Sequence, residues 1–350
     1  MDIRKSMLTT AVAAFMSVGM AGQAAAYTSA GAFIEFQDLS IAVLDGGVTP
    51  VTDALTTWNF KTTNTAVLND DVTTKVDNCS GTGVEVGSCS STTPRVDAAL
   101  AVEGTTSKTA NTFSFEGPGS GDEYSYADSV ITTAQLTGDA STNTSLIAET
   151  ELLTTGEGNA TSTITSTTGF EFTFTINDSG TVILQFTADP EMYAASDNPD
   201  SIKTIAGASI AASIIISQDF EAEDEDGNAA AGDGRATWAP DGVLAGCTDL
   251  AGGLGCAAEI DSQSLNTEVG ISSDPAISRY SYDDGTPTFT SFRIAITDLD
   301  PGIWTFRLAT TVTTDVTKEV AVPEPTTLLL LGAGLAGFGV ARRRTRKGAV

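Results

Sequence analysis

The stretch Phe170-Glu171-Phe172-Thr173-Phe174-Thr175-Ile176, then Asn177-Asp178-Ser179-Gly180, then Val182, Leu184 and Phe186, decides how this chain folds. Apolar side chains recur at every second residue on both sides of a polar, glycine-closed turn. That period belongs to a β-strand with one buried and one wet face. The turn residues between the two runs predict a β-hairpin. The same pattern returns nearer the C-terminus, where Phe292, Ile294 and Ile296 precede Asp298-Leu299-Asp300-Pro301-Gly302, and Trp304, Phe306 and Leu308 follow it. A second hairpin is expected there. Toward the N-terminus Ile34 and Phe36 occupy even positions while Leu39, Ile41 and Val43 occupy odd ones, so the inward face changes parity near Asp38. A β-bulge or a strand switch accounts for such a change. Ala208, Ile210, Ala212, Ile214 and Ile216 also alternate, although their alanine content leaves a short helix open.

Fifty-three threonines and frequent Gly, Asn and Asp turns favour pleated strands over helices. No amphipathic crossover helices separate the strands, which favours an antiparallel sandwich over a βαβ arrangement. The expected fold is all-β, an antiparallel sandwich of jelly-roll or immunoglobulin-like type. Looser segments are expected at about residues 73–95, 116–123 and 219–262, and no fixed-period repeat is present.

Both ends differ from this body. Arg4 and Lys5, an apolar run from Met7 to Ala21 and the small residues Ala24-Ala25-Ala26 make residues 1–26 a secretory signal peptide, with cleavage before Tyr27. The body then spans residues 27–321. It retains ten basic against 43 acidic residues, a formal charge of −33. Such a field repels phosphate backbones, so nucleic acid is not an expected partner. Histidine is absent from the chain. Ser-His-Asp and Cys-His catalysis and His-ligated zinc are thereby excluded, and a non-enzymatic protein is expected. The four cysteines form two close pairs, Cys79 with Cys89 and Cys247 with Cys256. In an exported chain the local pairing is favoured, each disulfide stapling a Gly/Ser-rich loop.

Residues 322–350 read Val322-Pro323-Glu324-Pro325-Thr326-Thr327, an apolar stretch from Leu328 to Ala341, then Arg342, Arg343, Arg344, Arg346 and Lys347. Two prolines keep the first segment extended. The apolar stretch is a short candidate for a single transmembrane helix, lengthened by snorkelling arginines. The basic cluster acts as a membrane stop that remains cytoplasmic and leaves the acidic body outside. This order of motif, helix and basic end resembles the PEP-CTERM sorting signal. The resemblance implies an exosortase-type membrane processing enzyme as partner, with Pro323, Glu324 and Pro325 as the recognised element. It also implies export across the inner membrane and anchoring, transient or permanent, before delivery to the cell envelope or to an exopolysaccharide matrix. Within the tail, Gly332-Ala333-Gly334-Leu335-Ala336-Gly337 matches a dinucleotide fingerprint, but no βαβ unit surrounds it.

Few residues of the body suggest chemistry. The densest acidic run holds Asp224 and Asp226 before Gly227, with Asp233 further on, oxygen ligands that suit calcium. With Gly227 at the sixth loop position, Ala222 stands first and offers no side-chain ligand. A solvated acidic loop is therefore the plain alternative to a calcium site. Trp58, Trp238, Tyr124, Tyr126, Tyr280 and Tyr282 lie in or near expected loops, where they either stack on sugar rings or anchor loops to the core. A calcium-dependent carbohydrate-binding or adhesive module is the alternative function. A glycosidase built on two carboxylates is a third. No cofactor is expected other than calcium.

Overall fold

The computed structural model describes residues 27–45, 49–50, 55–69, 71–82, 89–97, 113–119, 123–133, 142–153, 158–197, 203–218, 234–272, 276–280 and 288–319. In chain order the strands are β1 (Tyr27–Asp45), β2 (Thr49–Pro50), β3 (Leu55–Leu68), β4 (Asp71–Thr82), β5 (Cys89–Asp97) and β6 (Tyr124–Thr133). There follow β7 (Thr142–Leu153), β8 (Gly158–Ile176), β9 (Gly180–Ser196), β10 (Lys203–Ser217), β11 (Arg235–Trp238) and β12 (Asp249–Ala251). The last are β13 (Gly255–Asp261), β14 (Thr267–Ile271), β15 (Ala276–Tyr280), β16 (Thr290–Leu299) and β17 (Gly302–Glu319). Among the described residues there is no helix.

The strands form two antiparallel sheets. Sheet A runs β13-β16-β9-β1-β7-β6-β5, with β15 added beside β9 and β2 beside β1. Sheet B runs β12-β11-β10-β17-β8-β3-β4, with β14 added beside β10. The sheets stack face to face, β9 and β1 over β10 and β17, β7 over β8, β6 over β3, and β5 over β4. One core fills the space between them. Phe36, Phe186, Phe292 and Ile294 enter it from sheet A, and Phe172, Phe174, Trp304 and Phe306 from sheet B. Aromatic pairs on neighbouring strands stack within it, Phe172 on Phe306 at 4.7 Å and Phe186 on Phe292 at 4.9 Å between ring centres.

The alternation read from the sequence is the alternation of burial. Along β17 every second residue from Trp304 to Lys318 is buried. The run from Ala208 to Ile216 is strand β10, with no helical turn. The parity change near Asp38 is a bulge: pairing with β7 jumps from Phe36 to Leu39, and Asp38 has φ 55°. An aspartate tolerates that left-handed conformation better than a β-branched residue does.

Both expected hairpins are corrected. β8 lies in sheet B and β9 in sheet A, and β16 and β17 are divided between sheets A and B in the same way. The turns at 177–179 and 300–301 are therefore arches that carry the chain across the core. The physical reason is that a period of two fixes which side chains turn inward. It does not say whether two inward faces lie side by side or opposite each other. Gly180 closes the first arch: a Cβ there would stand 2.7 Å from Ile176 and 3.2 Å from the carbonyl of Leu44. The looser segments need correction as well, since 73–95 contains most of β4 and much of β5, and 219–262 contains all of β11, β12 and β13. Short or edge strands with both sides wet do not show a clean alternation.

Candidate functional site

The two central strands that face each other, β1 and β17, carry the chain ends. Tyr27 begins β1 directly after the expected leader, and Glu319 ends β17 directly before the tail. Tyr27 pairs with Leu153 at the end of β7, while Lys318 and Glu319 pair with Gly158 and Lys203 at the starts of β8 and β10. Both ends thus leave the same pole of the sandwich. Polar contacts lock this pole. The backbone N–H of Asp197 donates to the carbonyl of Tyr27 at 3.0 Å, and the Thr28 and Ser196 hydroxyls lie 3.2 Å apart. The ammonium of Lys318, which is almost wholly buried, donates to the carbonyl of Leu153. Hydrogen bonding to that carbonyl answers part of the cost of burying the charge.

A second polar assembly lies on the outer face of sheet A. β7 is buried on both faces, because residues 113–119 cross it as a strap. Phe115 of the strap packs edge-on against Phe33 at 6.4 Å and against Tyr193 at 5.2 Å. Beneath it Glu149 is fully buried and accepts four hydrogen bonds. Tyr193 Oη donates to Oε1 at 2.5 Å and Tyr126 Oη to Oε2 at 2.6 Å. The backbone N–H groups of Gly117 and Glu116 add bonds at 2.9 and 3.0 Å. Glu151, also fully buried, accepts the N–H of Gly119 at 3.0 Å. Burial and then the neighbouring charge of Glu149 push the phenol pKa values of Tyr193 and Tyr124 well above the usual tyrosine range. Burial, then the charges of Asp197 and Glu151, raises that of Tyr27. The assembly fastens a strap, and among the described residues nothing opens Glu149 to solvent.

The residues singled out from the sequence fall as follows. Cys247 and Cys256 are disulfide-bonded with Cα atoms 5.7 Å apart. Cys79 is also disulfide-bonded, and the side chain of Cys89, its favoured partner, lies outside the described residues. Trp58, Trp238, Tyr124 and Tyr126 sit in strands and are buried, so they anchor the fold and offer no exposed ring face for stacking. Tyr280 is half-buried and donates its hydroxyl to the carbonyl of Ser264 at 3.0 Å. Tyr282 lies outside the described residues. Glu171 is half-buried and ion-paired, its Oε2 accepting from Arg307 at 2.8 and 3.0 Å.

Asp224, Asp226 and Asp233 lie outside the described residues, as do Pro323, Glu324, Pro325 and the arginines 342–344. The segment holding the three aspartates leaves and re-enters the fold at the pole opposite the termini, where the N–H of Gln218 donates to the carbonyl of Gly234 at 2.9 Å. Among the described residues no group of three or more His, Cys, Asp or Glu is placed to hold a metal ion. Among the same residues no helix is long and apolar enough to cross a membrane.

Glu149 and Glu151 were not legible as buried groups. They alternate with Ala148, Thr150 and Leu152 as solvent-facing residues do, and the apolar Ile147 on their face is the one local sign that something covers it.

Comparison with known proteins bears on the tail. The family model of the PEP-CTERM protein-sorting motif matches residues 321–344. No curated protein matches the chain, and no solved structure does.

Proposed function

We propose that this is an exported, non-enzymatic surface or extracellular-matrix protein. In this reading an exosortase-type enzyme acts on its tail, and the β-sandwich is the delivered cargo. The observation that carries the reading is the sorting motif, whose match begins at residue 321 while the last strand of the body ends at Glu319. Sandwich and signal are thus joined with almost no linker. The architecture supports the same reading, because the expected leader and the tail leave one pole and a single membrane can hold both. The opposite pole, with the arches and the acidic segment, then points away from the bilayer. The absence of histidine and the net acidity suit a durable, soluble exterior domain more than an acid–base catalyst. Deleting Pro323 to Pro325 tests this. Full-length precursor is expected to accumulate in the inner-membrane fraction, with intact mass reporting leader removal and tail retention. Unchanged release of the shortened mature protein would overturn it.

A further inference from the structure

We propose that β4 is a docking edge for a second copy of this chain, the two β4 strands pairing antiparallel about Val76. Four strands end the two sheets, and three of them are unfit for pairing. β12 is three residues long, β13 bulges against β16 between Ala258 and Ile260, and β5 contains Pro94 and bulges against β6 between Thr93 and Val96. Short, bulged or proline-bearing edges guard a sheet against strand addition. β4 has none of these guards. It pairs with β3 from Asp71 to Thr82 without a register shift, and among the described residues no other strand lies beside it in the sheet. Val72 and Val76 on its outer side are 62 % and 53 % exposed.

The loop between Leu68 and Asp71 has two residues, so these two close it as a hydrogen-bonded pair. Odd-numbered residues of β4 therefore direct their N–H and C=O to β3, while Val72, Thr74, Val76, Asn78 and Ser80 direct theirs outward. The N–H of Asn78 accordingly bonds Oδ1 of its own neighbour Asp77 at 2.9 Å, for want of a strand beside it. A second β4 supplies carbonyls and N–H groups along the whole edge.

Charge selects the occupant and the register. The body carries −33, yet β3, β4 and β5 hold Lys61, Lys75 and Arg95 against Asp71, Asp77 and Asp97. This flank is neutral, so two copies meet here without the repulsion that the rest of the surface imposes. Lys75 and Asp77 stand opposite Asn64 and Thr62 of β3, which are buried, so both charges lie on the core side of the edge. Inward charges bar most partners from an edge strand. In the register centred on Val76, Lys75 of each copy faces Asp77 of the other, and residues 71–81 of both overlap. Val76 then meets Val76 on the outer face, and Thr74 meets Asn78. Moving the centre to Lys75 or to Asp77 opposes like charges, and parallel pairing in register does the same. The two-fold axis reverses the strand, which puts Tyr27 and Glu319 of the two copies at opposite ends of the pair. Such pairing joins released copies rather than neighbours anchored side by side in one membrane.

The pairing does not depend on the sorting reading, and the test uses the purified exported protein. Sedimentation velocity over a concentration series is expected to show a monomer–dimer equilibrium. Val76→Pro removes an outward N–H, leaves the bonds to β3 in place, and is expected to abolish the dimer. Lys75→Asp and Asp77→Lys each set like charges opposite one another at both crossings, and each is expected to weaken dimerisation about tenfold or more. Both changes in one chain, or an equimolar mixture of the two single variants, restore unlike pairs and are expected to recover it. Circular dichroism reports whether Val76→Pro folds, and if it does not, the charge variants decide. A protein monomeric up to its solubility limit, a dimer that survives in folded Val76→Pro, single charge variants of unchanged affinity, or single variants that the double change does not rescue would each overturn the inference.

Discussion

Four donors converge on Glu149, and each carboxylate oxygen takes one tyrosine hydroxyl and one backbone N–H. A carboxylate without these partners would be costly to bury, and the partners without it would be orphaned. Glu149→Ala is therefore expected to destabilise the protein by about 3–5 kcal/mol and to open the 113–119 strap to proteolysis, while Tyr193→Phe costs about 1.5–3 kcal/mol. Chemical unfolding measures both. The same burial fixes a pH response. The phenol pKa of Tyr193 is raised in the folded state, so between the unfolded value near 10 and the higher folded value the folded chain holds more protons than the unfolded one. Stability is then lost as pH rises above about 10, and Tyr193→Phe flattens part of that slope. Acid, by this group alone, changes nothing. Residue-scale reading of the sequence saw the alternation that contains Glu149 but not the strap above it, because a covering segment distant in sequence leaves no mark on the strand it covers.

At the scale of elements, the sandwich has two open flanks, and a pair of cysteines sits at each. Cys256 is in β13, at the edge of sheet A, and Cys247 lies two residues before β12, at the edge of sheet B, so their bond ties the two sheets together. On the other flank Cys79 lies in β4 and Cys89 in β5, again on edge strands of opposite sheets. An edge strand lacks a partner on one side and is the first part of a sheet to fray. Replacing Cys247 and Cys256 by alanine is expected to cost about 2–3 kcal/mol, with amide exchange accelerating in β12 and β13 before it does in β1 or β17. Uniform acceleration across the core strands would argue against a clamp. The close cysteine spacing was legible as local staples. That a staple of nine residues' separation also joins two sheets was not, since sheet membership depends on pairings far along the chain.

Over the whole molecule, β17 is hydrogen-bonded on both sides through its last residues and completes the core with Val312 and Val316. Ending the chain after Glu319 is expected to leave the unfolding free energy within about 1 kcal/mol of the full-length value. Ending it before Val312 removes two buried valines and the pairing partner of the starts of both β8 and β10, and no cooperative unfolding transition is expected. A thermal melt of the two truncations checks this. The sequence by itself determined that the body is made of strands, which side chains turn inward, where β1 changes parity, and that the tail carries a sorting motif. These are local properties, set by a period of two, by turn chemistry and by short motifs. Only the tertiary structure decided that the supposed hairpins are arches between sheets. It also decided that Glu149 is roofed and that Tyr27 and Glu319 lie at one pole. Each of these depends on which distant strand or segment lies alongside, and alternation is the same whichever neighbour the chain finds.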